Sequence, residues 1–330
     1  MIRLGTVGTS NICDEFLSAA KLQGEYVLEA VYSRNYETGL EFAKRHGCKR
    51  VFTDLHQMAE DENIDAVYIA SPNAFHYEQS RLFLENSKHV ICEKPITTNS
   101  HEYDELKAIA DKKVLIYAEA IMSRHNKEHK NIRKALQQIG KIRYARLDFH
   151  QRSSRLDRFL NGEKVNIFDM SLKAGCLMDL GVYCVYAAVY LFGMPEKIIS
   201  AKSHFFSNGA DFCGTALLDY GDFTVNLSYS KAGQSVIGSE IIGDSGALVI
   251  PSVSQFADIS LVKNGEKIPV TKKLNKVEVM VGEAQAFADY ILRSDSYRNE
   301  YNEVSALCRN VISLMDEIKQ KAGIIYPKTI

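Results

Sequence analysis

Ile2-Arg3-Leu4-Gly5-Thr6-Val7-Gly8-Thr9-Ser10-Asn11-Ile12-Cys13, continued by Glu15-Phe16-Leu17-Ser18-Ala19-Ala20, decides how the chain folds. The segment up to Val7 is mainly apolar, Gly8 ends it, and the residues from Glu15 have helical character. Strand, tight glycine turn and helix form the setting in which a dinucleotide fingerprint carries meaning. The G-x-G-x-x-G/A pattern is filled here by Gly8, Ser10 and Cys13, so small side chains stand in the second and third places. Such a turn still lets the backbone approach a pyrophosphate, and the helix N-terminus offers N–H groups and a positive dipole end. A plain strand–helix turn is the alternative.

Working outward, the pattern repeats. A second strand, Tyr26 to Tyr32, ends at Ser33-Arg34. An acid there would bind ribose hydroxyls, whereas arginine accommodates a 2′-phosphate, which favours NADP over NAD. A solvated arginine is the alternative. Helices are expected at Thr38–His46 and from Leu55, with a short strand at 50–52 between them. The buried strand Ala66 to Ala70 runs into Ser71-Pro72-Asn73-Ala74-Phe75-His76. Pro72 fixes this turn; Asn73 either caps the helix running to Asn86 or touches a cofactor. His76 is either a surface helix residue or part of a site. The strand His89–Cys92 leads into Glu93-Lys94-Pro95, Ser100 caps a helix to Lys112, and Val114–Ala118 is a further strand before Glu119. This alternation predicts a doubly wound parallel sheet.

Beyond Ile121 the character changes. A helix over 127–138 and an alternating strand over 141–149 precede an irregular loop, 151–166. An apolar helix carrying Asp179 and Tyr183 is stopped by Gly193-Met194-Pro195. Four or more strands come next, with turns at Gly221-Asp222, Gly243-Asp244 and Asn264-Gly265, which predicts an antiparallel sheet. Two helices, from Gly282 to Arg293 and Asn302 to Ala322, close the chain. The reading is two domains, 1–120 and 121–330, the first an α/β Rossmann unit and the second α+β.

A 330-residue chain with 46 % hydrophobic and 25 % charged residues has an ordinary globular composition. Its net charge of −1 supplies no field that would recruit nucleic acid or an anionic membrane. The longest all-apolar run, 182–192, falls short of the ~20 residues that span a bilayer. Met1 leads straight into a strand-like segment, so no signal peptide is expected. Seven cysteines without a C-x-x-C pair indicate reduced thiols and a cytoplasmic setting.

Lys94 ends an apolar strand and precedes a proline, which limits the chain's path. Its ammonium can polarise an alcohol or carbonyl oxygen. Glu93 either pairs with it or binds a cofactor hydroxyl. Tyr183 is a poor base with an unperturbed pKa near 10, and a cation within about 4–6 Å would lower that value. Asp179, one turn earlier, can orient the phenol or favour the helix dipole. Tyr186 and Tyr190 read as core. His125 and His129, at i and i+4, lack a third ligand, so no metal is expected. Arg152, Arg155 and Arg158 form a basic cluster in the loop, read as solvated and mobile, with a substrate-phosphate site as the alternative.

Taken together, Gly8–Cys13, Ser71-Pro72-Asn73 with His76, Glu93-Lys94-Pro95, Glu119-Ala120 and Ala174-Gly175 with Asp179 and Tyr183 resemble the Gfo/Idh/MocA oxidoreductases over essentially the whole chain. Pairing aspartate with tyrosine is most similar to the dihydrodiol dehydrogenase and NADP-linked xylose dehydrogenase branch. The resemblance implies Lys94 and Tyr183 as catalytic groups with Asp179 as partner. It implies a cofactor lying along Gly8, Thr9, Ser10, Asn11, Ile12, Ser33, Arg34, Ser71, Pro72, Asn73, His76, Glu93 and Lys94. It also implies a homodimer or dimer of dimers through an open C-terminal sheet, and interconversion of hydroxyl and carbonyl on a sugar, polyol or diol. A nucleotide-binding sensor without chemistry is the rival; the joint presence of lysine, aspartate and tyrosine favours the enzyme.

Overall fold

Strands β1 (Ile2–Val7), β2 (Tyr26–Tyr32), β3 (Val51–Phe52), β4 (Ala66–Ile69), β5 (His89–Glu93) and β6 (Tyr117–Ala120) pair in parallel in the order β3-β2-β1-β4-β5-β6. They belong to a computed structural model that describes residues 1–327. Every residue of β4 is buried, as a parallel strand covered on both faces requires. Helices α1 (Asn11–Gln23), α2 (Tyr36–Arg45), α3 (Leu55–Glu60), α4 (His76–Glu85) and α5 (Ser100–Lys112) make the crossovers. The strand order reverses between β1 and β4. The carboxyl ends of these two strands therefore border the crevice where such sheets bind ligands.

Two expectations shift at α5. The side chain that caps it is that of Asn99, which accepts the Glu102 N–H at 2.9 Å, and Ser100 is already the first helical residue. The next strand starts at Tyr117, not Val114. Val114 adopts φ +58°, and the Val114 and Leu115 N–H groups return to the carbonyls of Asp111 and Ala110. The strand then takes in Glu119 and Ala120.

In the second unit a 3-10 turn, Met122–His125, precedes α6 (His129–Gln138), so the helix expected from 127 begins two residues later. The loop 151–166 contains α7 (Leu156–Leu160). Residues Leu177–Gly181 form a π turn that feeds α8 (Val182–Phe192). The helical run 170–192 is long and apolar enough to cross a membrane, but 83 % of its most apolar window is buried inside the protein. Burial in the protein core accounts for its hydropathy.

Strands β7 (Ile142–His150), β8 (Lys197–Phe205), β9 (Asp211–Asp219), β10 (Thr224–Ser230), β11 (Ser239–Gly243), β12 (Ala247–Ile250), β13 (Ser260–Lys263) and β14 (Glu266–Pro269) form one sheet. The order is β14-β13-β12-β11-β7-β10-β9-β8, antiparallel except where β7 meets β10. The turn between β13 and β14 has φ +53° at Asn264 and +81° at Gly265, the pair of positive values a tight hairpin needs. Ala145, Leu147, Ala216, Leu218, Val225, Leu227 and Ile241 bury one face of the sheet. Arg146, Leu217 and Asn226, paired across strands, lie on its partly exposed other face.

Helices α9 (Lys276–Leu292) and α10 (Ser294–Ala322) complete the chain and start earlier than their sequence suggests. The sequence reads 121–330 as one domain. Contacts group Asn275–Arg309 with Met1–Ile121, and Met122–Leu274 with the chain from Asn310 on.

Candidate functional site

At the end of β1 the chain turns at Gly8, with φ +113°. An added Cβ would stand 3.1 Å from the Ala70 carbonyl oxygen, a tight contact, and the positive φ strains any side chain, so glycine is favoured here. The Gly8 N–H donates to Tyr32 O at 3.2 Å. Ser10 stands at the N-cap of α1, yet its side chain does not cap the helix; its hydroxyl lies 3.8 Å from Cys13 Sγ. No side chain caps the first turn, at a half-exposed rim formed by Thr9, Ser10, Asn11 and Ile12, and the Cys13 N–H turns inward to Ser10 O at 2.9 Å. This is the form of an anion cradle. Cys13, beneath it, is buried, and burial pushes its thiol up to about 12.

At the end of β2 the Ser33 hydroxyl accepts the Asn35 N–H at 3.3 Å. Arg34 is exposed and forms no ion pair among the described residues. At the end of β4 the Ser71 hydroxyl donates to Gln79 Oε1 at 2.7 Å. His76 is buried, which removes the surface alternative, and burial lowers its pKa. Its two ring nitrogens lie 2.8 Å from Ser71 O and 2.9 Å from Pro95 O, so the ring ties the Ser71 loop to the Lys94-Pro95 loop. Asn73 does not cap α4: it opens a 3-10 turn, Asn73–Phe75, and neither that turn nor α4 has a side-chain cap.

Around Lys94 the backbone is held from both sides. The Tyr68 hydroxyl donates to Glu93 Oε1, and the Lys94 N–H donates to Glu93 Oε2 at 3.2 Å. Burial raises the Glu93 pKa. Two residues on, the Ile96 N–H donates to the buried Glu119 at 2.8 Å, and the Cys308 thiol reaches the same carboxylate at 3.2 Å. These anchors fix the path of the Glu93-Lys94-Pro95 turn independently of the lysine side chain.

In the second unit the key local device is Asp211. Its Oδ2 accepts the Leu177 N–H at 2.7 Å, at the start of the π turn that carries Asp179. Gly175 leaves room for it: a Cβ there would lie 1.9 Å from Asp211 Oδ1. Gly181 and Gly214 flank the Tyr229 ring, so the helix can lie directly on the sheet. Tyr183 is buried and meets Phe149 edge-on, with ring centroids 5.6 Å apart. Asp179 is 43 % exposed and accepts a hydrogen bond from Lys231 Nζ. Asp179 and Lys231 both border a cavity of about 280 Å3 lined also by Gln151, Arg152, Ser153 and Arg155.

Burial raises the Asp211 carboxyl from 3.8 to about 6. The folded state then holds a proton that the unfolded chain has released, so stability falls as pH rises from 4 to 6, by about 3 kcal/mol for a gap of this size. Asp211→Asn keeps the acceptor for Leu177 and loses this dependence. Urea unfolding of both proteins at pH 4 and pH 8 checks it; parallel pH dependence would disprove the assignment.

The basic loop is solvated, as expected, and carries exposed ion pairs. Arg152 pairs with Asp157 at 2.6 Å, Arg158 with Glu163 at 2.7 Å, and Gln151 and Ser153 donate to the carbonyls of Ser230 and Lys231. His125 is buried, with its pKa driven down to about 3 by burial, so it is a neutral interior side chain. Tyr186 and Tyr190 are core residues as expected. Sequence reasoning missed Asp211 and Lys231. The signal for Lys231 was the one that marked Lys94, a strand ending on a lysine.

Residues 2–121 match the model of an oxidoreductase family with an NAD-binding Rossmann fold, and residues 129–249 match the Gfo/Idh/MocA C-terminal domain. The chain is 38 % identical to the uncharacterized oxidoreductase YgjR of Escherichia coli (strain K12), over 99 % of this chain and 98 % of that one. It is 36 % identical to the scyllo-inositol 2-dehydrogenase (NADP(+)) IolU of Bacillus subtilis (strain 168), over 99 % of each. Among solved structures, the 3-ketoreductase KijD10 of Actinomadura kijaniata, in complex with NADP and TDP-benzene, has the same fold. Its TM-score is 0.86 at 23 % identity, covering 97 % of this chain and 98 % of that one.

Proposed function

The chain belongs to the Gfo/Idh/MocA oxidoreductase family, and from that premise we propose that it is an NADP-linked dehydrogenase acting on a secondary hydroxyl of a polyol, sugar or diol. One observation carries the substrate class: Asp179 and Lys231 open onto a cavity walled by hydrogen-bonding side chains, among them Gln151 and Ser153. Such a lining suits a polyhydroxylated molecule. The full-length likeness to a scyllo-inositol dehydrogenase supports the same class.

The cofactor residues fit a dinucleotide on this chain's own evidence. The Gly8 turn disfavours any side chain, no side chain caps the first turn of α1, and Arg34 is an exposed cation at the end of β2. Gly8, Thr9, Ser10, Asn11 and Ile12 would hold the pyrophosphate, and Ser33 with Arg34 the 2′-phosphate. Ser71, Pro72, Asn73, His76, Glu93 and Lys94 would follow the remaining length. NADP, when bound, supplies the hydride acceptor. On this reading Lys94 stabilises the substrate oxygen, Tyr183 takes the hydroxyl proton and Asp179 orients the substrate.

The open face of the eight-stranded sheet, with Ile242 and Thr215 exposed on it, is the surface for a homodimer. A cytoplasmic setting accords with seven free cysteines.

The test is nicotinamide absorbance across a panel of polyols, aldoses and diols, scyllo-inositol included, run with NADP and NAD in parallel. Turnover faster with NADP is expected; no turnover in a preparation that binds NADPH favours the sensor. Arg34→Gln should raise the KM for NADP by about 10- to 100-fold, the worth of a charged hydrogen bond. The KM for NAD should stay within about twofold, since NAD has no 2′-phosphate to lose. Equal changes for both cofactors would remove Arg34 from the phosphate site.

A further inference from the structure

Lys231 comes directly after the last residue of β10, and its side chain is 4 % exposed. Buried lysines are rare, and an ammonium withdrawn from water needs acceptors for all three N–H groups. Among the described residues its Nζ has one hydrogen-bond acceptor, Asp179. The Phe168 ring lies 5.9 Å away and is a weak supplement. Lys88 is a useful contrast: its ammonium donates to the Asp61 backbone carbonyl at 2.7 Å, away from any of the candidate site residues.

The position of Lys231 is fixed by its backbone. Its N–H donates to Phe212 O at 2.8 Å, and its carbonyl accepts the Ser153 N–H at 2.9 Å. The Ser230 hydroxyl accepts the N–H groups of Ala232 and Gly233, tightening the adjoining turn. One wall of the cavity is thus hydrogen-bonded to the lysine's own main chain.

We propose that Lys231 is a substrate-positioning residue, whose ammonium fixes the Asp179 carboxylate and donates its remaining N–H groups to a hydroxyl of a neutral polyol in this cavity. The inference rests on the dehydrogenase reading and names a specificity residue within it. A hydroxyl both donates and accepts, so it can bridge an ammonium and a carboxylate at once. A phosphate at the same point would meet the Asp179 carboxylate with like charge, and Lys231 is already paired with that carboxylate. The Asp179–Lys231 pair therefore favours a neutral hydroxyl at this point.

The experiment compares wild type, Lys231→Met and Lys231→Arg with NADP and the best polyol of the panel. Losing a charge-assisted hydrogen bond should raise the polyol KM by about 10- to 100-fold in K231M. Turnover at saturation should fall much less, and the KM for NADP should not change. K231R, which keeps the charge and donors, should recover most of the polyol KM. An unchanged polyol KM in K231M, or a loss that K231R does not restore, overturns the proposal. If K231M does not fold, Lys231→Gln, which removes the charge but keeps a polar side chain beside Asp179, replaces it, with a smaller rise in polyol KM expected and an unchanged KM overturning the proposal. A second readout works without turnover: thermal protection of the NADP-loaded proteins by scyllo-inositol or xylitol. If the panel shows no turnover, the dehydrogenase reading falls, while protection of wild type but not K231M upholds the role of Lys231. Equal protection of both, or protection of neither, overturns it.

Discussion

Lys94→Met should lower turnover by about a thousandfold or more, the range lost with a group that serves the reacting oxygen, while NADPH affinity stays within a few-fold. The fold predicts the second half of this statement. The turn around Lys94 is held by Tyr68 and Lys94 N–H on Glu93, by Ile96 on Glu119 and by His76 on the Pro95 carbonyl. None of these bonds uses the lysine ammonium. Methionine matches the length of the aliphatic stem and removes the charge and the N–H donors. NADPH fluorescence titration and single-turnover absorbance separate binding from chemistry. A K94M protein that keeps a tenth of wild-type turnover would end the assignment of Lys94 to the reacting oxygen.

Gly175→Ala should be nearly as damaging by another route. The added methyl group would fall 1.9 Å from Asp211 Oδ1, and the Asp211 carboxylate is fixed by the Leu177 N–H. Either the aspartate gives up that bond or the backbone moves. Overpacking of a buried site costs about 1–3 kcal/mol, and the left-handed φ of +155° at Gly175 adds strain for any side chain. The displaced segment begins the π turn that carries Asp179. A shift of about 1 Å in a positioning element can cost a hundredfold in rate. Urea unfolding and steady-state kinetics read both effects; an alanine variant equal to wild type in both would show that the cradle is looser than its geometry indicates.

The parallel sheet was legible because its central strands are mainly apolar and alternate with helices, and the strand buried on both faces reads as an unbroken apolar run. Ala66-Val67-Tyr68-Ile69 is the clearest case. The same rule misplaced β6. Val114-Leu115-Ile116 is as apolar as a strand, and nothing in its composition shows that a β-branched residue takes a left-handed conformation there. Caps slipped by one residue at Ser100 because two adjacent polar side chains could each serve. Lys94 stood out through the proline after it. Lys231 carries the same strand-end signal in a half-buried alternating strand, where a terminal lysine usually reaches solvent. Asp211 was invisible for a similar reason: an acid opening a strand is ordinarily a surface residue, and its burial depends on Gly175, thirty-six positions earlier.

The return of residues 275–309 to the first unit bears on anyone who would engineer this protein. Tyr26 donates to the Ala284 carbonyl at 2.7 Å, Phe16 lies 6.4 Å from Phe287, and Tyr103 donates to the Ser305 carbonyl at 3.0 Å. A gene fragment ending at 121 would strip these lids from its own interior. Chimeras and minimal nucleotide-binding modules built on this scaffold therefore require two separate stretches of DNA, joined by a designed bridge.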